Sequence, residues 1–220
     1  MVELTGELDP ARVRDNLARL RAELDDAATA AGRPPGTVEI LAATKYVASE
    51  HLGALAEAGV TLLGENRAQD LAAKAQAWPG RFTWDFIGHL QSRKVKQILP
   101  HVRLIHSVAS ESALAQLARH GTPDTEILVE VNVSGEDAKS GVAPADLDAF
   151  LERASCRVGG LMTMPPFATD PESSRPYFAR LRQLAADRGL PRLSMGTSQD
   201  YAVAASEGAT IVRLGSVLYR

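Results

Sequence analysis

From residue 38 to residue 216 the chain alternates a short apolar run with a stretch that carries apolar residues at helical spacing, giving eight runs and seven helical stretches between them. The runs are VEILAAT, VTLLGE, TWDFIG, RLIHSV, TEILVEVNVS, CRVGGLMTM, PRLSMG and ATIVRLGS. Apolar runs of this length suit strands covered on both faces, as in a parallel sheet. Eight successive strand–helix units can close into a single (β/α)8 TIM barrel, an α/β fold with its helices outside; a doubly wound open sheet is the alternative. Ahead of the alternation, residues 9 to 32 read as one extra amino-terminal amphipathic helix that ends at Gly32. No linker or low-complexity stretch interrupts the pattern, so residues 1–220 are expected to form one domain.

Composition narrows the partners. With 24 basic and 27 acidic residues and no run of lysine and arginine, nothing calls for nucleic acid or an anionic membrane. The single cysteine, Cys156, excludes an internal disulfide framework and reads as a buried small residue. The start lacks the pattern of a secretory signal, and no segment approaches the roughly 20 apolar residues of a membrane span. A cytoplasmic monomer with a small-molecule partner is the expectation. Asn66, Ser110 and Ser198 are candidate helix caps, and MPPFATDPESSRP, 164 to 176, is expected to be an irregular lid or binding loop.

In such a barrel the site lies at the carboxyl ends of the strands, so the residues after each apolar run belong together. Lys45, after the first run, is the one amine in that set. It is either a surface residue leaving the sheet or an amine positioned in a partly desolvated mouth, where the neutral form needed for Schiff-base chemistry is favoured. SMGTSQD ends the seventh run in glycine and small hydroxyl residues just before a helix, where free amides can point at an anion, and VRLGS ends the eighth with another glycine. Each is an ordinary turn when taken singly. Together, an amine able to form an imine and a phosphate cradle suggest pyridoxal 5′-phosphate. Arg213 is either a ring-nitrogen partner, which would disfavour ring protonation and make a weak electron sink, or half of a buried ion pair.

ATKY, LLGENRAQD, WDFIGHLQSRK, IHSV, VNVSGEDAKSG, GLMTM and SMGTSQDYAVAASEGATIVRLGS together resemble the pyridoxal phosphate homeostasis protein family, over roughly residues 10 to 219. The resemblance implies a barrel like the amino-terminal domain of alanine racemase, with pyridoxal phosphate bound as an imine to Lys45. It implies phosphate contacts from Ser194, Gly196, Thr197 and Ser198 and from Gly215 and Ser216, with Arg213 near the pyridine nitrogen. Asn66 and Met162 match the family's pocket positions, and His89 lies in its IGHLQ motif. The implied role is keeping the free cofactor low and available, with apo-enzymes as recipients and no firmly established turnover. Thr197 stands where methionine is frequent and Arg93 where asparagine is, and the chain stops at VLYR, short of the usual tail.

Two enzyme readings compete. An amino-acid racemase needs a base on each face of its substrate, and the sequence offers no carboxyl-terminal β domain. Tyr46 would point away from Lys45 along a strand, while Tyr177, Tyr201 and Tyr219 fall on outer helices or the terminus. A cofactor-free Schiff-base aldolase would need a carboxylate beside Lys45, and Glu65 and Asp85 read more naturally as a helix-start charge and a strand-end solvent contact. The five histidines show no metal-ligand spacing.

Overall fold

The computed structural model describes residues 8–136 and 139–220. Residues 1–7 and the Asp137–Ala138 step of VNVSGEDAKSG lie outside the described residues. The eight apolar runs form strands β1 (Glu39–Ala43), β2 (Leu62–Glu65), β3 (Thr83–Phe86), β4 (Leu104–Val108), β5 (Glu126–Glu130), β6 (Arg157–Met162), β7 (Arg192–Thr197) and β8 (Ile211–Leu214). They pair in chain order, all parallel, and β8 returns to β1 with Leu41 opposite Arg213. That last pairing closes the barrel and excludes the open sheet.

The helices are α1 (Pro10–Ala30), α2 (Leu52–Glu57), α3 (Ala68–Ala77), α4 (Val95–Ile98), α5 (Glu111–His120), α6 (Leu147–Glu152), α7 (Arg175–Ala186), α8 (Tyr201–Ser206) and α9 (Ser216–Tyr219). Strand side chains alternate between the two faces. Leu41, Leu62, Leu104, Leu128, Met162 and Ile211 form one cluster inside the barrel, while Ala42, Leu63, Ile105, Ile127, Leu161 and Val212 belong to the cluster shared with the helices. A helix follows every strand, including the one-turn α9 after β8, where the sequence shows no helical pattern.

With so short a helix after β8, α1 covers the outside of the β8–β1 seam, in contact with α8, α9 and α2. Its start is fixed by Asp9, whose side chain accepts from Ala11 N at 2.9 Å, followed by Pro10. Val13, Leu17, Leu20, Leu24 and Ala28 are buried on one stripe. At roughly 1.5–3 kcal/mol for each large apolar side chain, this burial makes α1 part of the barrel.

Of the candidate caps, Ser110 caps α5, its Oγ accepting from Ala113 N at 3.2 Å. Asn66 and Ser198 do not cap, because Arg67 and Asp200 occupy the cap positions of α3 and α8. The segment 164–176 is only partly irregular: Pro171–Ser174 is a 3-10 turn and α7 starts at Arg175. Proline in the first turn lacks only an amide that would have no helical partner. Cys156 is half-buried just ahead of β6.

The β7–β8 register slips between Ser194 and Thr197, so three residue steps on β7 span two on β8. This bulge contains Gly196 at φ +92°, and a Cβ there would lie 2.5 Å from Ala204 Cβ. Gly196→Ala combines a left-handed backbone with that clash and is expected to lower stability by about 1–3 kcal/mol in urea unfolding. An unchanged midpoint would contradict the strain assigned to the bulge.

Candidate functional site

A cavity of about 480 Å³ opens at the carboxyl ends of the strands, with Lys45, Asn66, Thr197, Ser198, Arg213, Gly215 and Ser216 in its wall. Ala43, Tyr46, Ile87, Gly88, Met164, Gln199, Tyr219 and Arg220 complete the lining. The volume is that of a small-ligand or cofactor site.

One wall is made by the turns after β7 and β8. Ser198 Oγ accepts from Gly215 N at 3.1 Å and Val217 N at 3.5 Å, tying the turns together. Asp200 accepts from both Thr197 N, at 2.7 Å, and Thr197 Oγ1, at 3.1 Å, so Thr197 shapes the turn with both donors engaged. Among the described residues, the amides of Ser198, Gln199 and Ser216 have no partner in the chain. Gly215 leaves room in front of them, since a Cβ there would meet nothing nearer than 3.9 Å. Such a nest of amides at helix starts suits an anion.

The floor is polar. Arg213 is buried and donates to Ser194 O at 2.9 Å, Ser194 Oγ at 2.6 Å and Thr163 O at 2.9 Å. No carboxylate among the described residues pairs with it, which removes the buried ion-pair reading. Burial pushes its pKa down to about 10 against the pull of Glu130 and Asp200, so it is cationic at neutral pH. Below it, His106 Nδ1 lies 2.8 Å from Ser194 Oγ and Nε2 lies 3.1 Å from Asp85 Oδ2. Asp85 accepts from Arg103 Nε at 3.1 Å and Nη2 at 2.8 Å. Burial acts to raise the Asp85 pKa, but the bonds from His106 and Arg103 outweigh it and hold the carboxyl below its usual range. Burial, with Arg213 and Arg103 adding to it, pulls His106 below the ordinary histidine value despite Asp85.

Lys45 lies two residues beyond β1, in a turn. It is exposed, so the expected desolvated amine is not what the structure shows. Its Nζ sits 5.0 Å from the Tyr46 ring centroid, within cation–π range, and both residues reach the cavity. Strand alternation, which would send Tyr46 to the other face, does not apply past Ala43. Tyr219 lines the cavity as well, with its hydroxyl donating to Ala43 O at 3.2 Å; burial, and next the Glu65 carboxylate, push its pKa up.

Beneath the turn, Glu65 is fully buried and takes hydrogen bonds from Thr44 Oγ1, at 2.7 Å, and from Lys74 Nζ, which also donates to Thr44 O at 2.9 Å. Lys74 reaches in from α3, which no reading of strand ends could find. Glu65 and Asp85 are therefore buried partners of cations rather than a helix-start charge and a solvent contact, and neither offers a free acid or base beside Lys45. Gly88 brings two turns together, since a Cβ there would lie 2.0 Å from Asn66 O. Asn66 Oδ1 is buried with no partner among the described residues. An orphaned acceptor in a cavity wall is a position a ligand donor would satisfy.

Three residues expected at the site stand behind its wall. Met162 packs in the barrel's inner cluster, and Met164 takes the lining position. Ser194 holds Arg213 from below, and Gly196 sets the bulge that aims the turn. Among the described residues there is no group of three or more histidine, cysteine or acidic side chains that could hold a metal, and no helix is long and apolar enough to cross a membrane.

No family model matches the chain. A pyridoxal phosphate homeostasis protein of Aquifex aeolicus (strain VF5) is 37% identical over 219 residues, covering 93% of this chain and 96% of that protein. One of Pseudomonas aeruginosa is 38% identical, covering 94% of each. The structure of PipY from Synechococcus elongatus PCC7942 with PLP bound aligns with a TM-score of 0.80 at 28% identity, covering 94% of this chain and all of that one. Alanine racemase of Corynebacterium glutamicum, at 16% identity and a TM-score of 0.68, shares the barrel fold; this chain covers 63% of it.

Removing Lys74 tests the support beneath Lys45. Lys74→Met leaves Glu65 buried without its cation, and the expected loss in urea unfolding is about 3–5 kcal/mol. Lys74→Met combined with Glu65→Leu is expected to recover at least half of it. A single-variant loss under about 1 kcal/mol, the range of exposed pairs, would contradict a buried pair.

Proposed function

The chain belongs to the pyridoxal phosphate homeostasis protein family, and from that membership we propose that it binds pyridoxal 5′-phosphate in the barrel mouth and acts in homeostasis of that cofactor as a carrier or regulator. The observation that carries the reading is the company Lys45 keeps: one cavity holds the only amine in its wall together with a nest of free amides, an orphaned Asn66 acceptor and a cationic Arg213 that no carboxylate touches. PipY, of similar fold, has been solved with PLP bound.

The cofactor supplies an aldehyde that a lysine amine captures reversibly and a ring that absorbs visible light in that linked state. Lys45 is the capturing amine, and its exposure at the rim suits entry and release. The amides of Ser198, Gln199 and Ser216 hold the phosphate, with Gly215 leaving space for it and Thr197 fixing the turn. Arg213 would face the ring nitrogen, where its cation would oppose protonation and leave a weak electron sink. Asn66 accepts from a ligand donor, while Met162, Ser194 and Gly196 support the floor and the turn from behind. The whole chain then serves as one cofactor-binding domain, monomeric and cytoplasmic, that delivers to apo-enzymes; the single cysteine agrees with a reducing compartment.

The test is a visible absorbance spectrum of the protein mixed with pyridoxal phosphate. Wild type should show the band of the linked cofactor, and Lys45→Ala should lose it while keeping its melting temperature. Arg213→Leu should shift the band or weaken binding. A band that persists in Lys45→Ala would defeat the assignment.

A further inference from the structure

We propose that His106 is a positioning residue for Arg213: hydrogen bonds running one way, from Arg213 to Ser194 to His106 to Asp85, lend the Asp85 charge to a guanidinium that touches no carboxylate. The proposal rests on the reading above for what Arg213 faces, and on the interior geometry alone for how Arg213 is held.

The direction of each bond follows from donor and acceptor chemistry. A guanidinium only donates, so Ser194 Oγ must accept from Arg213 Nη1 at 2.6 Å. The hydroxyl then has its own proton to give, and His106 Nδ1 lies 2.8 Å away. At the other end, Asp85 already takes both Arg103 bonds as an acceptor, so His106 Nε2 at 3.1 Å must be the donor. A neutral imidazole with its proton on Nε2 satisfies both neighbours. An imidazolium would aim a second cationic donor at Ser194 Oγ and leave the hydroxyl proton without an acceptor. The charges facing His106 are Arg103 and Arg213 against Asp85, so a third cation would be the excess one. Asp85, His106, Ser194 and Arg213 are all buried.

The consequence is geometric. Nη1 of Arg213 is held by Ser194 twice, and Nη2 is held by Thr163 O and Met164 Sδ, each at 2.9 Å. Met164 is exposed whereas Thr163 and Ser194 are buried, so the interior anchors of the fork are Thr163 O, Ser194 O and Ser194 Oγ, and of these only Ser194 Oγ depends on the tautomer of His106. A glutamine at 106 could reproduce the pattern, accepting through its carbonyl and donating through its amide; a leucine could not.

The deciding measurement is nitrogen-15 NMR of the histidine rings in the wild-type protein without added cofactor. His106 should show a protonated Nε2 and an unprotonated, hydrogen-bonded Nδ1, with no titration between about pH 8 and 5.5, a range that spans the ordinary histidine value. A protonated Nδ1, or titration at the ordinary value, would overturn the proposal. Pyridoxal phosphate then serves as the probe of consequence. His106→Leu should bind about tenfold more weakly, the scale of one lost bond to a charged group, and His106→Gln within about threefold of wild type. Equal affinity for wild type and the leucine variant would also overturn it. Borohydride-reducible incorporation into wild type keeps the two readings separate: if none occurs, the cofactor assignment fails while the tautomer still decides the relay. If the leucine variant does not fold, the tautomer and the glutamine variant decide.

Discussion

A carboxylate in the middle of a barrel is stable only if cations and donors replace the water it gave up, and Asp85 is the charge around which this interior is arranged. Arg103 grips it with two bonds from the amino-terminal end. Arg103 also pairs with Glu39, which pairs with Arg192, which pairs with Glu126, so a chain of ion pairs joins the starts of β1, β5 and β7, and Arg103, one residue before β4, links it to Asp85 inside β3. Each partly exposed pair there is worth about 0–1 kcal/mol, whereas stripping a partner from a buried one costs about 3–5 kcal/mol. Asp85 therefore matters more to the interior than the rim pairs. From it the polar line continues upward through His106 and Ser194 to Arg213, the floor of the cavity.

The same economy of position governs the mouth. Lys45 is carried on a turn whose preceding residue, Thr44, is clamped by Glu65 and Lys74. The opposite wall is carried on a bulge that only a glycine at 196 can make, and the two turns of that wall are stitched by one hydroxyl, Ser198. Rigid supports thus lie under an exposed amine and an open wall. That combination suits a site that a ligand can leave as readily as it enters.

The barrel was legible because parallel strands buried on both faces read as apolar runs, and eight of them leave few other closures. Lys45, Ser198, Gly215 and Arg213 were legible because barrel chemistry collects at strand ends. What stayed hidden depends on side chains that cross between elements. Lys74 sits on a helix and shows nothing in its local pattern of the buried carboxylate it meets. Asp85 and His106 lie within strands, where one inward charge looks like any strand-end polar residue until its partners on β4 and β7 are known. Tyr46 was misplaced because β1 stops at Ala43, short of both Lys45 and Tyr46, so strand alternation no longer sets which face either side chain takes. The short α9, which brings Tyr219 into the wall, is one turn long and has no periodicity to detect.

The most direct measurement is peptide mapping by mass spectrometry after pyridoxal phosphate is added to the protein and the link is fixed with borohydride. The expected product is one phosphopyridoxyl group on the peptide that carries Lys45, with Lys74 unmodified because its amine is held by Glu65 and Thr44. Modification centred on any other lysine, or spread evenly over the exposed ones, would contradict a cofactor site built around Lys45.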